Sequence, residues 1–458
     1  MSLIKSISGI RGTIGGTEGN AFTPNDIVKF VAAFGCWLKE KDNSKRNVVI
    51  GRDARLSGEL VSKIVSGTLQ AIGLDVIDLE LSTTPTVEMA VTAENALGGI
   101  ILTASHNPKE WNALKLLNHR GEFVSAQDIH IILEWAETGN YHYVEVDSLG
   151  AYSISNDYFS YHIDAIKALP LIKIEAIKSR NFKVVVDAVN STGGIAVPLL
   201  LKNLGIRTIH LLNCEPTGKF AHNPEPLTEN LFELREAMQR GDFDIGIAVD
   251  PDVDRLVLIC ENGEPFNEEY TLVAVADYVL SHTKGNTVSN LSSTVALKNI
   301  TESFGGQYFV SAVGEVNVVE KMKEVNAVIG GEGNGGIIYP DLHYGRDSLV
   351  GIGLILSHLA TCGCTLSELK ARYPQCHMYK HKIDLKEEMS METILENIKI
   401  KYPDNRLITI DGIKIEMADN SWVHLRKSNT EPIMRIYSEA GTPEKAKEIA
   451  FEVSCILT

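Results

Sequence analysis

The sequence predicts an α/β protein of four domains: three similar mixed α/β domains followed by a smaller α+β C-terminal domain. Three stretches repeat one grammar of apolar strand, polar or glycine-bearing turn, helix, glycine and second strand. They are "NVVIGRDARLSGELVSKIVSGTLQAIGLDVIDLEL", "FKVVVDAVNSTGGIAVPLLLKNLGIRTIHLL" and, less clearly, "NTVSNLSSTVALKNITESFGGQYFVSAV". In each, Gly73, Gly205 or Gly305 stands where a helix should end. Continuous Val/Ile-rich strands alternating with helices indicate sheets covered on both faces. Past residue 375 the pattern changes to alternating strands, "RLITIDGIKIEM", "SWVHLRK" and "IMRIYSEA", with Asp411-Gly412 as a hairpin turn and "TPEKAKEIAFEVSCIL" as a last helix.

A chain of 458 residues is too long for one core. The domains are expected at 1–150, 151–256, 257–373 and 374–458, packed around a shared cleft because no low-complexity linker separates them. No 18-residue apolar run crosses a bilayer and no secretory pattern opens the chain, so a cytoplasmic protein without a membrane partner is expected. The seven cysteines are scattered and never spaced C-x-x-C, which reads as reduced thiols; "CGC" at 362–364 has no second cluster to close a zinc site. A formal net charge of −16 argues against a nucleic-acid partner, so an anionic substrate needs a local cationic pocket.

In the first domain, the apolar run "GIIL" stops at Thr103-Ala104-Ser105-His106-Asn107-Pro108. A serine at a strand end can be a nucleophile with the neighbouring histidine positioning its proton; a turn bonding its own backbone fits the same residues. The serine-hydrolase signature G-x-S-x-G is absent. In the second domain, "FDIGIAVDPDVDRL" delivers Asp250, Asp252 and Asp254 at spacing two after a buried strand. Alternate residues of an extended segment face one side, so three carboxylates should converge there, and they need a cation between them. Hard oxygen ligands suit Mg²⁺.

In the third, "VIGGEGNGGIIYP" sets Glu332 and Asn334 among glycines, good partners for vicinal hydroxyls, although a glycine-rich turn explains the pattern equally well. In the fourth, "LRKSNTEPIMR" gathers Arg426, Lys427, Ser428, Asn429, Thr430 and Arg435. These are donors a phosphate dianion needs, and a hairpin crowded with ion pairs is the plain alternative. A phosphorylatable serine, an acid cluster for metal, a hydroxyl reader and a phosphate clamp together are the parts of phosphoryl transfer to a sugar.

With "GIRG" at 9–12, "TASHNP" at 103–108, "DPDVDR" at 250–255, "GEGNGG" at 331–336 and "RKSNTEP" at 426–432, the sequence closely resembles the α-D-phosphohexomutase family over essentially its whole length. The resemblance implies a heart-shaped molecule of four domains, each giving one loop to a central cleft. It implies that Ser105 is phosphorylated in the active enzyme and that Asp250, Asp252 and Asp254 bind Mg²⁺ together with a phosphoserine oxygen. His106, Arg11 and Lys115 match positions around the transferring group, Lys115 as a candidate general acid or base. Arg255 and Glu332 should face the sugar, and Arg426, Ser428, Asn429, Thr430 and Arg435 the phosphate that does not react.

The implied partner is a small sugar phosphate, with hexose 1,6-bisphosphate as activator, acting on a monomer or homodimer. Asn334 stands where many members have serine, Gly336 where many have histidine, and Lys427 and Asn429 replace the proline and glycine of "RPSGTEP". With "NPEP" at 223–226 and "SAVGEVNVVEKM" at 311–322, the nearest resemblance is to archaeal-type phosphoglucosamine mutases. Interconversion of glucosamine 6- and 1-phosphate is therefore expected, with phosphomannomutase/phosphoglucomutase activity as the alternative. A phosphatase with water as acceptor and a catalytically silent sugar-phosphate binder are the competing classes.

Overall fold

The computed structural model describes residues 2–384, 390–427 and 433–456. The first sheet contains β1 (Leu3–Ser6), β2 (Gly9–Thr13), β3 (Asn47–Arg52), β4 (Asp75–Leu81), β5 (Gly98–Leu102), β6 (Trp111–Leu117) and β7 (Tyr152–Ile154), in the order β1-β2-β6-β5-β3-β4-β7. The second contains β8 (Lys183–Asp187), β9 (Thr208–Leu212), β10 (Ile245–Val249) and β11 (Leu256–Cys260), ordered β11-β10-β8-β9. The third contains β12 (Asn286–Asn290), β13 (Tyr308–Ser311), β14 (Ala327–Glu332) and β15 (Gly336–Ile338), ordered β13-β12-β14-β15. The first and second sheets thus run past the boundaries expected at 150 and 256, because β7 and β11 complete them.

The repeat read in the sequence is a strand–helix–strand crossover in each domain, and Gly73, Gly205 and Gly305 follow the helix ends at φ +87°, +89° and +78°, a region that favours glycine. In every copy the central strand (β3, β8 or β12) has parallel neighbours on both sides, and one of these returns through an antiparallel hairpin: β5–β6, β10–β11 or β14–β15. The serine, aspartate and glycine loops are therefore three equivalent hairpins. Strands β5 and β10 are buried at every position, which is why they read as unbroken apolar runs before an abrupt polar loop.

The second and third domains share one hydrophobic core through helices Glu268–His282 and Ser348–Cys362. The fourth domain is an antiparallel sheet of β16 (His377–Asp384), β17 (Arg406–Ile408), β18 (Ile413–Glu416), β19 (Trp422–Lys427) and β20 (Ile433–Ala440), ordered β16-β20-β19-β18-β17. Helices Met391–Lys401 and Pro443–Ser454 cover one face of it. Gly412, at φ +71°, makes the expected turn between β17 and β18.

One expectation fails: Cys362 and Cys364 are joined as a disulfide rather than held as reduced thiols. A single intervening residue at a helix end brings their Cα atoms to 5.5 Å, inside bridging range, although no metal-site spacing is present. Among the described residues no helix is long and apolar enough to cross a membrane.

Candidate active site

Strand β5 hands the chain to Ser105, which sits at φ +48°, a left-handed conformation that costs a non-glycine residue about 1 kcal/mol or more. The surroundings fix it there. Arg55, 2% exposed, donates to the carbonyl oxygens of Ser105, Asn107 (2.7 Å), Pro108 (2.7 Å) and Trp111 (3.0 Å), so one guanidinium ties down the whole serine loop. Its Nε donates to Asp53 Oδ2 at 3.0 Å, and that oxygen also accepts from Thr103 Oγ1 at 2.6 Å. Sequence reasoning missed Arg55 and Asp53; the signal was a charged "RDAR" ending a buried strand, with no solvent reason to be there.

Ser105 Oγ donates to Asp250 Oδ2 at 2.8 Å and lies 3.3 Å from His106 Nδ1. The three aspartates converge as expected, each fully buried and with carboxylate oxygens within 4.8 Å of one another, but by a different geometry. The segment after β10 is a turn with Val253 at φ +64° instead of an extended strand, and Asp250 Oδ1 closes it by accepting from the backbone N–H of Asp254 and Arg255, both at 3.1 Å. Lys115, on β6, donates to Asp252 Oδ2 (2.6 Å) and Asp254 Oδ2 (3.2 Å); Thr84 Oγ1 donates to Asp252 Oδ2 (2.5 Å) and Arg346 Nη2 to Asp254 Oδ2 (2.7 Å).

The electrostatics follow from burial and these contacts. Burial, then Asp254 and Asp252, push the Asp250 carboxyl well above its usual range. Burial acts in the same direction on Asp254, yet Arg346 and Lys115 overcome it and hold that carboxyl below its usual range. Burial opposes charge on Lys115, but Asp252 and Asp254 keep it protonated. Burial, then Arg255 and Arg11, push the His106 imidazole well below its usual range, so the ring is neutral. Asp252 Oδ1 and Asp254 Oδ1 are buried without a hydrogen-bond partner among the described residues. Unpaired buried carboxylate oxygens are costly, and a hard divalent cation held by the three aspartates would satisfy them.

Above this floor lies a cavity of 720 Å³ lined by residues of all four domains, among them Arg11, Ser105, His106, Lys115, Arg255, Glu332, Asn334, Arg426 and Arg435. Arg11 Nη1 reaches Asn107 Oδ1 at 3.2 Å, and Arg255 Nη1 reaches Glu225 Oε1 at 3.3 Å. Glu332 accepts from Asn290 Nδ2 (2.8 Å), Gly314 N (3.1 Å) and Arg346 Nη1 (2.7 Å). Asn334 Oδ1 takes the N–H of Gly336 at 3.1 Å. A Cβ at residue 336 would stand 2.4 Å from Arg346 Cδ, so Arg346 occupies the space a larger residue there would need. The sequence reading missed Arg346, which bridges Asp254, Glu315 and Glu332; its clue was another charged knot, "GRDS", opening an apolar helix.

In the fourth domain Arg426 and Arg435 stand directly opposite each other on β19 and β20. Both side chains line the cavity. Arg426 Nε donates to Asp411 Oδ1 at 3.0 Å. Ser428, Asn429 and Thr430 lie outside the described residues.

Comparison with known proteins finds the same succession of four domains. Four family descriptions of phosphoglucomutase/phosphomannomutase match in succession: alpha/beta/alpha domain I over residues 3–142, domain II over 160–263, domain III over 267–376 and the C-terminal domain over 382–454. A phosphoglucomutase/phosphomannomutase of Thermococcus kodakarensis is 36% identical, covering 95% of this chain and 96% of its own. A phosphoglucosamine/phosphogalactosamine mutase of Sulfurisphaera tokodaii is 31% identical over 100% of this chain and 99% of its own. The crystal structure of a phosphoglucomutase/phosphomannomutase family protein from Burkholderia thailandensis superposes with a TM-score of 0.85 at 25% identity, covering 99% of this chain and 96% of that one. With four domain matches along the chain and relatives above 30% identity over 95% of it or more, the protein belongs to the phosphoglucomutase/phosphomannomutase family of phosphohexomutases.

Proposed function

We propose that this phosphohexomutase moves a phosphoryl group between the 6- and 1-positions of a hexose phosphate through phosphorylated Ser105, with glucosamine phosphate as its preferred sugar. The observation that carries the reading is Ser105 Oγ, held 2.8 Å from Asp250 in a left-handed turn, at a cavity that Arg426 and Arg435 also line. One end of the cavity offers a nucleophile and the other a seat for a phosphate dianion.

In the forward step the sugar hydroxyl attacks phosphoserine phosphorus: the sugar O–P bond forms and the Ser105 Oγ–P bond breaks. The neutral His106 ring is available to accept the hydroxyl proton. Protonated Lys115 offsets charge on the transferring group and can give a proton to the departing Ser105 oxygen, taking it back when that oxygen attacks in the return transfer. Freed of phosphate, Ser105 Oγ–H returns to Asp250. The resulting bisphosphosugar then turns so that its other phosphate meets Ser105; the Ser105 Oγ–P bond re-forms, the second sugar O–P bond breaks and the isomeric monophosphate leaves, while Arg426, Arg435, Ser428, Asn429 and Thr430 hold the phosphate that is not reacting. Asp250, Asp252 and Asp254 suit Mg²⁺, which when bound supplies Lewis-acid stabilisation of phosphoryl oxygens. Hexose 1,6-bisphosphate serves as activator by charging Ser105.

The amino-sugar preference is supported by Glu225, a partly exposed carboxylate lining the cavity that an ammonium group would complement, and by the amino-sugar mutase name of the Sulfurisphaera relative. The phosphoglucomutase/phosphomannomutase name of the 36% identical relative favours a second reading, in which glucose and mannose phosphates are used. Incubation with hexose 1,6-bisphosphate followed by intact-protein mass measurement tests the core of the proposal. One added phosphoryl group in the native protein and none in Ser105→Ala is expected; an unmodified native protein, or equal labelling of both, removes Ser105 from the mechanism.

A further inference from the structure

Arg426 does not reach the cavity unsupported. Asp411, in the turn between β17 and β18, receives Arg426 Nε–H at 3.0 Å on Oδ1 and 2.9 Å on Oδ2. Its Oδ2 also receives the backbone N–H of Val313, from the third domain, at 2.9 Å. The Asp411 carbonyl accepts from His424 Nε2 at 2.6 Å, and His424 Nδ1 meets Ser292 Oγ, again of the third domain, at 2.9 Å. Gly412 permits this close seat: a Cβ there would lie 2.1 Å from the carbonyl oxygen of Leu425 on β19.

The next residue along, Gly314, donates to Glu332 Oε1 at 3.1 Å; Arg346 Nη1 holds Glu332 Oε2 at 2.7 Å, and Arg346 Nη2 holds Asp254 Oδ2 at 2.7 Å. Short polar contacts therefore run from the acid loop through Arg346, Glu332 and the 313–314 segment to Asp411 and Arg426.

We propose that Asp411 is a positioning residue: it seats Arg426 for the non-reacting phosphate and pins the fourth domain to the loop at Val313, so that the clamp is complete only when these domains are docked. This rests on the phosphohexomutase reading given above. A guanidinium carries five N–H donors in a rigid fork, and a carboxylate on the Nε side leaves the terminal nitrogens for the anion.

The test is steady-state kinetics on the full-length enzyme, comparing wild type, Asp411→Ala, Asp411→Asn, Arg426→Ala and the double variant Asp411→Ala/Arg426→Ala. Loss of one charge-assisted hydrogen bond predicts a KM for Asp411→Ala raised about 30-fold, with kcat within about threefold. Asp411→Asn, which keeps an acceptor without the charge, should fall between it and wild type. In the Arg426→Ala background the Asp411 change should add much less than in wild type, only the part carried by the Val313 contact. Wild-type KM in Asp411→Ala, a fall confined to kcat, or full additivity with Arg426→Ala would overturn the assignment. Should Asp411→Ala fail to fold, Asp411→Asn with and without Arg426→Ala decides by the same criteria. A wild type that turns over no hexose phosphate would refute the proposed function instead, and calorimetric affinity for hexose 1,6-bisphosphate across the same variants would then read the clamp.

Discussion

Ser105 Oγ donates a 2.8 Å hydrogen bond to Asp250 Oδ2, joining two loops 145 residues apart on equivalent hairpins of two domains. The proposed nucleophile and the proposed metal ligand are thus already in contact. Removing the hydroxyl by Ser105→Ala should reduce turnover by at least about 10³-fold. The side chain is small and its neighbours remain, so circular dichroism and melting temperature should stay close to wild type. Turnover within tenfold of wild type would place the chemistry elsewhere.

Arg55→Ala should destabilise the protein by about 3–5 kcal/mol, because it strands Asp53 as a buried charge without its partner and frees four loop carbonyls. Arg55→Lys should rescue little, since an ammonium cannot span the same fork. Urea denaturation midpoints measure the first effect. Specific activity of the folded fraction measures the second, as Ser105 relaxes from its left-handed conformation. A lysine variant equal to wild type in both would contradict the role given to the guanidinium.

Metal removal should be as costly as loss of the serine. The unpaired Asp252 Oδ1 and Asp254 Oδ1 call for a cation, so chelation with EDTA should abolish turnover and added Mg²⁺ should restore it. Binding to the folded state at 100 times Kd adds about 2.7 kcal/mol, which a thermal melt reads as a higher midpoint with Mg²⁺. Asp252→Asn should blunt both responses; unchanged melting and undiminished activity in EDTA would speak against a metal at the triad.

The buried junction behind the site should show in the pH dependence of stability. Burial works against a charge on His343, yet the Asp347 carboxylate, with Oδ2 at 3.3 Å, and then Glu88, with Oε2 at 3.3 Å, lift it to about 10, while burial pushes the Glu88 carboxyl itself up to about 8. An unfolded histidine titrates near 6.5, so the folded state binds the proton more tightly. The resulting stabilisation is complete below pH 6.5, erodes as the unfolded chain loses its proton, and is gone once pH passes 10. Melting curves of wild type and His343→Gln should therefore be well separated at pH 6 and draw together towards pH 10. A constant gap over that range would refute the linkage.

Much of this site was legible because its signals are local. Buried strands ending in "TASHNP" and "DPDVDR" announce their loops, and Gly73, Gly205 and Gly305 mark the repeat because their helices end in conformations that favour glycine. What stayed hidden depends on partners far along the chain. Arg346 meets Asp254 across 92 residues and Arg55 meets the serine loop across about 50, so nothing in the flanking sequence states why a charge sits there. The convergence of the aspartates was expected for the wrong reason: spacing two suggested a strand, whereas Val253 turns left-handed and Asp250 folds back on the next two N–H groups. The Cys362–Cys364 pair escaped because spacing rules for metal sites say nothing about a bridge closed by one intervening residue.

The most direct test of phosphoryl transfer between sugar positions is ³¹P NMR of the purified protein with Mg²⁺, a trace of hexose 1,6-bisphosphate, and glucosamine, mannose or glucose 6-phosphate in separate tubes. A 6-phosphate resonance giving way to a 1-phosphate resonance, fastest with glucosamine, is expected, with no change for Ser105→Ala. Inorganic phosphate as the only product, or no conversion of any of the three sugars, would contradict that transfer.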